Sequence, residues 1–130
     1  MKFEVGEHYS RRTIHEALGG DLESYLPHRD GRIVAGCFKR GRNPEVPNEI
    51  QVGTGRNNKK YARVLAEQDG SIPVFVKRED LVGTSDLWQY HGEYKFIELL
   101  DDRQTLSKAE EKSGRHGELT CVLRLDPVSE

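Results

Sequence analysis

The sequence has no long apolar run, only two cysteines and little excess charge of either sign. A membrane-spanning helix needs about 20 consecutive apolar residues, and no segment approaches that length. The first residues also lack the apolar core of a signal peptide. We therefore expect no membrane partner and a cytoplasmic location, or a nuclear one in a eukaryote. The net charge of −2 gives no support for strong nonspecific binding to nucleic acid.

Motifs for catalysis and metal binding are also missing. The two cysteines form no CxxC pair, and the five histidines show no HxH or HxxxH spacing, so we expect no metal site. GxSxG and Walker-type loops do not occur. The GxG of Gly53-Thr54-Gly55 has no predicted helix after it, which favours a hairpin turn over a phosphate-binding loop. We expect no cofactor and no catalytic residue, although a small enzyme built around a lone carboxylate remains an alternative.

Both cysteines lie in apolar, strand-like segments. Cys37 follows Ile33-Val34-Ala35-Gly36, and Cys121 lies within Leu119-Thr120-Cys121-Val122-Leu123. We expect two buried, reduced thiols, because small apolar surroundings suit a free cysteine. Burial raises the pKa of a thiol, so Cys37 is a poor candidate for a nucleophile.

The pattern of apolar residues predicts one β-rich α+β domain over residues 1–130, with a loosely held tail at 127–130. Ser10 is a typical helix N-cap, Ile14, Ala17 and Leu18 share one helical face, and Gly19-Gly20 ends the helix. A second short helix is predicted around 107–112, and a turn at Arg29-Asp30-Gly31. Strands are predicted at 32–38, 49–52, 61–67, 72–77, 88–99 (one strand or a pair broken near Gly92) and 118–125. Six strands at this spacing favour a small curved sheet or a β-barrel with two short flanking helices.

Positive charge is concentrated between residues 29 and 60, and the segment 98–118 is its acidic counterweight. Arginine outnumbers lysine in the loop 39–42, and guanidinium groups bind phosphate in a bidentate manner. We expect the backbone phosphates of a nucleic acid to be held by Arg11, Arg12, Lys39, Arg40 and Arg42. The alternative is a surface loop that is polar only for solubility.

Aromatic residues cluster in the segment 88–94. Alternation places Trp88 and Tyr90 on one face of a strand, and a bulge near Gly92 would redirect Tyr94. Aromatic walls with a polar group at the base edge suit a planar base. We expect Trp88, Tyr90 and Tyr94 to form a base site, with Asn48 or Glu49 bonding the base edge. The alternative is that these aromatic residues only pack in the core.

Several motifs in residues 3–97 carry a resemblance to a known family. They are VGEHYSRRTIHEALGG at 5–20, DGRIVAGCF at 30–38, NPEVPNEI at 43–50, IPVFVKR at 72–78 and WQYHGEY at 88–94. The chain resembles SRA-like domains of the PUA superfamily that are attached to HNH-type, modification-dependent restriction nucleases. The resemblance implies a β-barrel with flanking helices that accepts a flipped, modified base in an aromatic pocket. No His-Asn-His metal finger is present, so cleavage does not carry over.

Together these features predict a nucleic-acid-binding module for a modified base, with DNA favoured over RNA. A nuclease or another protein is an expected partner of such a module. The alternative is a protein-interaction domain, such as a phage or mobile-element protein acting on a host complex. The mild acidity and the charged segment 101–115 favour that alternative. Phosphate contacts would distinguish the two, because they make affinity fall steeply with salt.

Overall fold

The computed structural model describes residues 2–78 and 86–128, and within them three helices accompany a six-stranded and a two-stranded sheet. The helices are α1 (Arg11–Leu18), α2 (Arg56–Glu67) and α3 (Arg103–Ser113). The strands are β1 (His8–Tyr9), β2 (His28–Arg29), β3 (Arg32–Ile33), β4 (Gly36–Phe38), β5 (Glu49–Gly53), β6 (Ser71–Lys77), β7 (Trp88–Leu100) and β8 (Leu119–Pro127). The α+β class is confirmed. No helix in this part of the chain has the length and apolarity needed to cross a membrane.

The main sheet is curved but open. Its strand order is β4-β6-β7-β8-β5, with β1 added to β7, and only the β4–β6 pair is parallel. In a flat sheet the end strands β4 and β5 would lie about 19 Å apart. Instead, Phe38 of β4 and Val52 of β5 pack in one core cluster. The curvature is therefore strong, but β4 and β5 do not pair with each other in the described part, so the alternative of a closed β-barrel is wrong.

Strand β7 is a single strand with a bulge near Gly92, which is one of the two arrangements that the sequence predicts. Val74 is opposite Gly92 but Phe75 is opposite Tyr90, which leaves His91 as the extra residue. Gly92 has a φ of 105°, a value that a side chain would disfavour. Because the bulge shifts the alternation, Trp88 and Tyr90 pack in one core cluster and Tyr94 packs in another.

Helix α2 contradicts the strand predicted at 61–67. The alternation of apolar residues there fits both structures, but Ala62 and Leu65 are the buried residues, and their spacing belongs to one face of a helix. The hairpin turn expected at 53–60 is wrong for the same reason, since α2 begins at Arg56. The described residues therefore contain three helices, where two were predicted. The predicted helix at 107–112 is the C-terminal half of α3, whose N-cap Asp102 accepts a hydrogen bond from Thr105 N.

The strand predicted at 32–38 is divided between two sheets. Residues 32–33 form β3, which pairs with β2 across the predicted turn, where Asp30 and Gly31 have φ values of 52° and 78°. The chain then crosses to the main sheet as β4. Gly36, the first residue of β4, is closely packed, since a Cβ there would lie 2.5 Å from the ring of Phe38.

The remaining predicted elements are present. Helix α1 has Ser10 as its N-cap and Gly19 as its C-cap. Strands β5, β6 and β8 cover the predictions at 49–52, 72–77 and 118–125 almost residue for residue. After β8 ends at Pro127, the amide of Val128 donates to Glu93 O, and residues 129–130 lie outside the described part. Cys37 and Cys121 are buried free thiols, as predicted.

Side chains satisfy the backbone of the end strand β5. The amide of Gln51 donates to Asn43 Oδ1 at 2.8 Å, and Arg115 Nη1 lies 3.3 Å from Gln51 O. Asn43 also donates from Nδ2 to Lys39 O at 2.9 Å. Since Asn43 is only 6% exposed, these bonds are shielded from water and hold the loop 39–48 against β5.

We expect the substitution Asn43→Ala to lower the free energy of unfolding by about 1–3 kcal/mol, because it leaves the buried amide of Gln51 without an acceptor. Urea unfolding followed by circular dichroism measures this loss. Asn48→Ala is the control: Asn48 is exposed and makes one long bond, to Leu125 O at 3.3 Å. Equal losses in the two variants would show that Asn43 does not anchor the loop.

Candidate functional site

A cavity of about 500 Å³ lies where the two end strands of the curved sheet approach each other. Strand β4 contributes Cys37 and Phe38 to its wall, and β5 contributes the segment from Gln51 to Gly53. The segment 23–28, the loop 39–48 and the first turns of α2 also contribute to the lining. The cavity therefore occupies the place where a closed barrel would have paired its last strands.

The lining of this cavity is strongly cationic. Arg11, Lys39, Arg42 and Arg115 line it, and Glu23 is the one carboxylate among its described lining residues. The whole protein carries a net charge of −2, so the charge of the cavity is opposite to that of the molecule. Such a concentration of one sign in a concave site favours an anionic ligand.

Arg42 and Arg115 meet at the cavity although they are 73 residues apart in the sequence. Arg115 Nη1 lies 3.3 Å from Arg42 O, so the Arg115 guanidinium is held against the loop 39–48. Burial lowers the pKa of Arg115 from its usual value, and the nearby positive charge of Arg42 lowers it further. Two cations that disfavour each other are both stabilised when an anion lies between them.

Gln51 presents an oriented acceptor. It is 7% exposed, and its Nε2 donates to Ala109 O of α3 at 2.9 Å. This bond fixes which end of the amide is the oxygen. Oε1 is buried and has no hydrogen-bond partner in the described structure. A buried carbonyl oxygen without a partner is unfavourable by about 1–3 kcal/mol, so a ligand that donates an N–H or O–H here would be stabilised.

Trp88 presents the complementary group, an N–H donor. It is 5% exposed, and within the described residues its Nε1 also lacks a partner. The guanidinium carbon of Arg11 lies 5.4 Å from the centre of the Trp88 ring, and Lys77 Nζ lies 5.8 Å from it. These cations stabilise the position of the indole, whose buried N–H would be satisfied by a hydrogen-bond acceptor.

Further aromatic residues come from the segment 23–28 and from α2. The rings of His28 and Tyr61 stack at 3.8 Å with an interplanar angle of 17°. The hydroxyl of Tyr25 donates to Asn58 O at 2.6 Å, and burial raises the pKa of Tyr25 well above its usual value. Tyr25 therefore stays protonated and ties this segment to α2.

The first turn of α2 also faces the cavity. Its N-cap is Gly55, which has no side chain to satisfy the first amides of the helix, and Asn57 and Asn58 line the cavity. A Cβ at Gly53 would lie 3.3 Å from Arg115 Nη2 and 3.4 Å from Asn58 Nδ2. The GxG is therefore followed by a helix whose amide groups favour an anion, which is the arrangement that sequence reasoning rejected.

Four of the residues predicted for the site line this cavity: Arg11, Lys39, Arg42 and Trp88. Arg11 is 7% exposed, and its guanidinium donates to Ser24 O and to Asp21 O, each at 3.0 Å. It therefore holds the segment 21–24 that covers the cavity. Lys39 and Arg42 are exposed at its rim.

The other predicted residues lie away from the lining. Arg12 and Arg40 are on the surface, and Asn48 and Glu49 lie at the start of β5. Tyr90 and Tyr94 pack in the two core clusters. Sequence reasoning missed the other lining residues, among them Tyr25, His28, Gln51, Asn57, Asn58, Tyr61 and Arg115. The GxG at 53–55 was the one local signal that pointed to any of them.

No protein-family model matches the chain, and the searches found no similar curated protein and no similar solved structure. The proposed function therefore rests on the residues of the cavity and their arrangement.

We expect stability to fall as the pH rises from about 9 towards 12. Burial raises the pKa of Cys37 to about 12, so the folded thiol keeps its proton while the unfolded one loses it above about 8.5. The stabilisation is therefore complete below the unfolded pKa and decreases above it, by up to about 1.4 kcal/mol per pH unit. Urea unfolding at several pH values measures the slope. Cys37→Ala should make the slope shallower, and an unchanged slope would contradict the assignment.

Proposed function

We propose that the chain is a nucleic-acid-binding module that takes one nucleotide with a modified base, in DNA rather than RNA, into the cavity between β4 and β5. The support is the cavity itself, which combines cations, aromatic rings and two buried polar atoms without partners. We further propose that the curved sheet is related to the PUA and SRA-like domains that its sequence motifs resemble.

The size and lining of the cavity suit a nucleotide. Ligand sites commonly enclose about 300–1,000 Å³ and combine apolar walls with a few oriented polar groups. At about 500 Å³, with Tyr25, Tyr61 and Trp88 in its lining, this cavity is of a size to hold one base with its sugar. A base that leaves its stack regains part of the lost energy by contact with such rings.

In this proposal the two ends of the nucleotide meet different groups. Lys39, Arg42 and Arg115 hold phosphate, because guanidinium groups bind its oxygens in a bidentate manner. Gln51 Oε1 accepts a hydrogen bond from the base edge, and Trp88 Nε1 donates one. This assignment replaces Asn48 and Glu49 with Gln51 at the base edge and makes Arg11 an anchor of the covering segment.

The observation that carries the proposal is the pair of unpartnered polar atoms in a cationic cavity. Folded proteins satisfy nearly all of their buried polar groups. Here one buried acceptor and one buried donor belong to residues that line the same concave site, beside Arg115, whose charged state is disfavoured by burial and by the nearby Arg42. A nucleotide would satisfy all three requirements together.

Fluorescence anisotropy with duplex and single-stranded oligonucleotides, with and without modified cytosines, tests the proposal over a salt series. We expect log affinity to fall linearly with log salt and to be higher for one modification. Absence of binding at low salt would refute the proposal and favour the protein-interaction alternative. Equal affinity for modified and unmodified oligonucleotides would refute the base site but would remain consistent with the phosphate contacts.

We expect Gln51→Met and Trp88→Phe each to weaken binding of the preferred oligonucleotide about 5-fold, which corresponds to one lost hydrogen bond of about 1 kcal/mol. The difference between modified and unmodified oligonucleotides should shrink in both variants. Tyr90→Phe is the matched control, because Tyr90 packs in the same cluster as Trp88 but does not line the cavity. The melting temperature of each variant is measured to verify that it is folded at the temperature of the binding assay. Equal losses in the control and in Trp88→Phe would mean that the effect is structural.

A further inference from the structure

Helix α2 has a second polar face, which lies outside the cavity. Arg56, Lys59, Lys60 and Arg63 are spaced i, i+3, i+4 and i+7, and all four are exposed. Residues with this spacing form one continuous stripe on a helix. We call these four residues the α2 cationic face.

The α2 cationic face borders a shallow groove that has little opposing charge. Glu67 is the only carboxylate among its described lining residues, which also include Thr54 and Val64. None of the four cations forms a salt bridge with a residue of the described segments 2–78 and 86–128. Their charges therefore remain available to an external partner.

This arrangement of charge is unfavourable for the helix itself. The N-terminus of a helix carries partial positive charge and favours acidic residues, but the first turn of α2 has none and contains Arg56 and Lys59. Like charges at i, i+3 and i+4 also destabilise a helix. A local conflict of this kind is expected where a surface serves a function other than folding.

The opposite face of the same helix lines the cavity, through Asn57, Asn58 and Tyr61. One rigid element thus links the candidate nucleotide site to the α2 cationic face. The helix has 12 residues and rises about 1.5 Å per residue, so its length corresponds to a few nucleotides of a strand. Because the two faces lie on opposite sides of α2, a polyanion on the α2 cationic face would reach the cavity by passing around the helix, which is about 10–12 Å wide with its side chains.

We propose that the α2 cationic face binds the backbone phosphates of the same nucleic acid whose nucleotide enters the cavity. This inference rests on the proposed function and adds the surface along which the strand runs. Its chemical requirement is a partner with regularly spaced negative charges, which a nucleic acid backbone supplies.

The test compares two variants with the same loss of charge. The first carries Arg56→Gln, Lys59→Gln and Arg63→Gln; Lys60 is retained because its ammonium lies 5.7 Å from the ring of Tyr61, a cavity residue. The control carries Lys95→Gln, Arg103→Gln and Lys108→Gln, which are exposed residues of β7 and α3. Affinity for the preferred duplex is measured by anisotropy from low to moderate salt, and melting temperature by circular dichroism.

In the first variant we expect the slope of log affinity against log salt to become shallower by roughly 0.9 for each removed cation that contacted a phosphate. Its preference for the modified base should persist, and its melting temperature should equal or exceed that of the wild type. Equal slopes in the two variants, with the wild type still binding, would overturn this inference alone. A wild type that binds no oligonucleotide would overturn the proposed function as well.

Discussion

The open gap between β4 and β5 is the constraint on which the rest of the structure depends. A curved sheet that does not close leaves two edges with unpaired backbone groups, and these must find other partners. Asn43 and Arg115 satisfy Gln51 on one edge, and Tyr25 O accepts a hydrogen bond from the amide of Cys37 on the other. Because side chains and loops do this instead of a strand, space remains between the edges. The cavity is therefore a consequence of how the sheet ends, and the groups that line it include those that complete the edges.

The use of side chains to complete the sheet edges also explains why cations and buried polar atoms occur together. Arg115 completes the edge of β5 through its bond to Gln51 O and also carries its charge into the cavity. Gln51 Nε2 donates a hydrogen bond to Ala109 O of α3, and Gln51 Oε1 has no hydrogen-bond partner in the described structure. In the proposed function, groups that stabilise the fold with one atom would thus offer another atom to the ligand. Variants of such residues need a stability measurement beside every binding measurement, because both properties depend on one side chain.

How much was predictable differs between the fold and the site. Helix α1 and strands β5, β6 and β8 carry local signals, such as the Ser10 cap, and these signals were sufficient. Helix α2 was missed because its apolar alternation fits a strand equally well, and only burial of Ala62 and Leu65 in the folded core decides between the two. Of the residues that line the cavity, Arg11, Lys39, Arg42 and Trp88 were among those predicted from residue type and clustering. Gln51 and Arg115 were not, because the importance of each arises from contacts with distant parts of the chain.

The bulge at His91 has a consequence for how this protein tolerates change in length. Side chains alternate along a strand with a period of two, so one extra residue reverses the faces of everything beyond it. Deleting His91 would restore regular pairing of β6 with β7 and would leave Tyr94 paired with Ile72, on the face opposite to Trp88, because the bulge already absorbs the extra residue. Loss of one residue from a part of β7 that has no bulge would instead turn the residues beyond it to the other face. We therefore expect homologous chains to vary in length at this bulge, between Tyr90 and Gly92, more readily than in the regularly paired parts of β7.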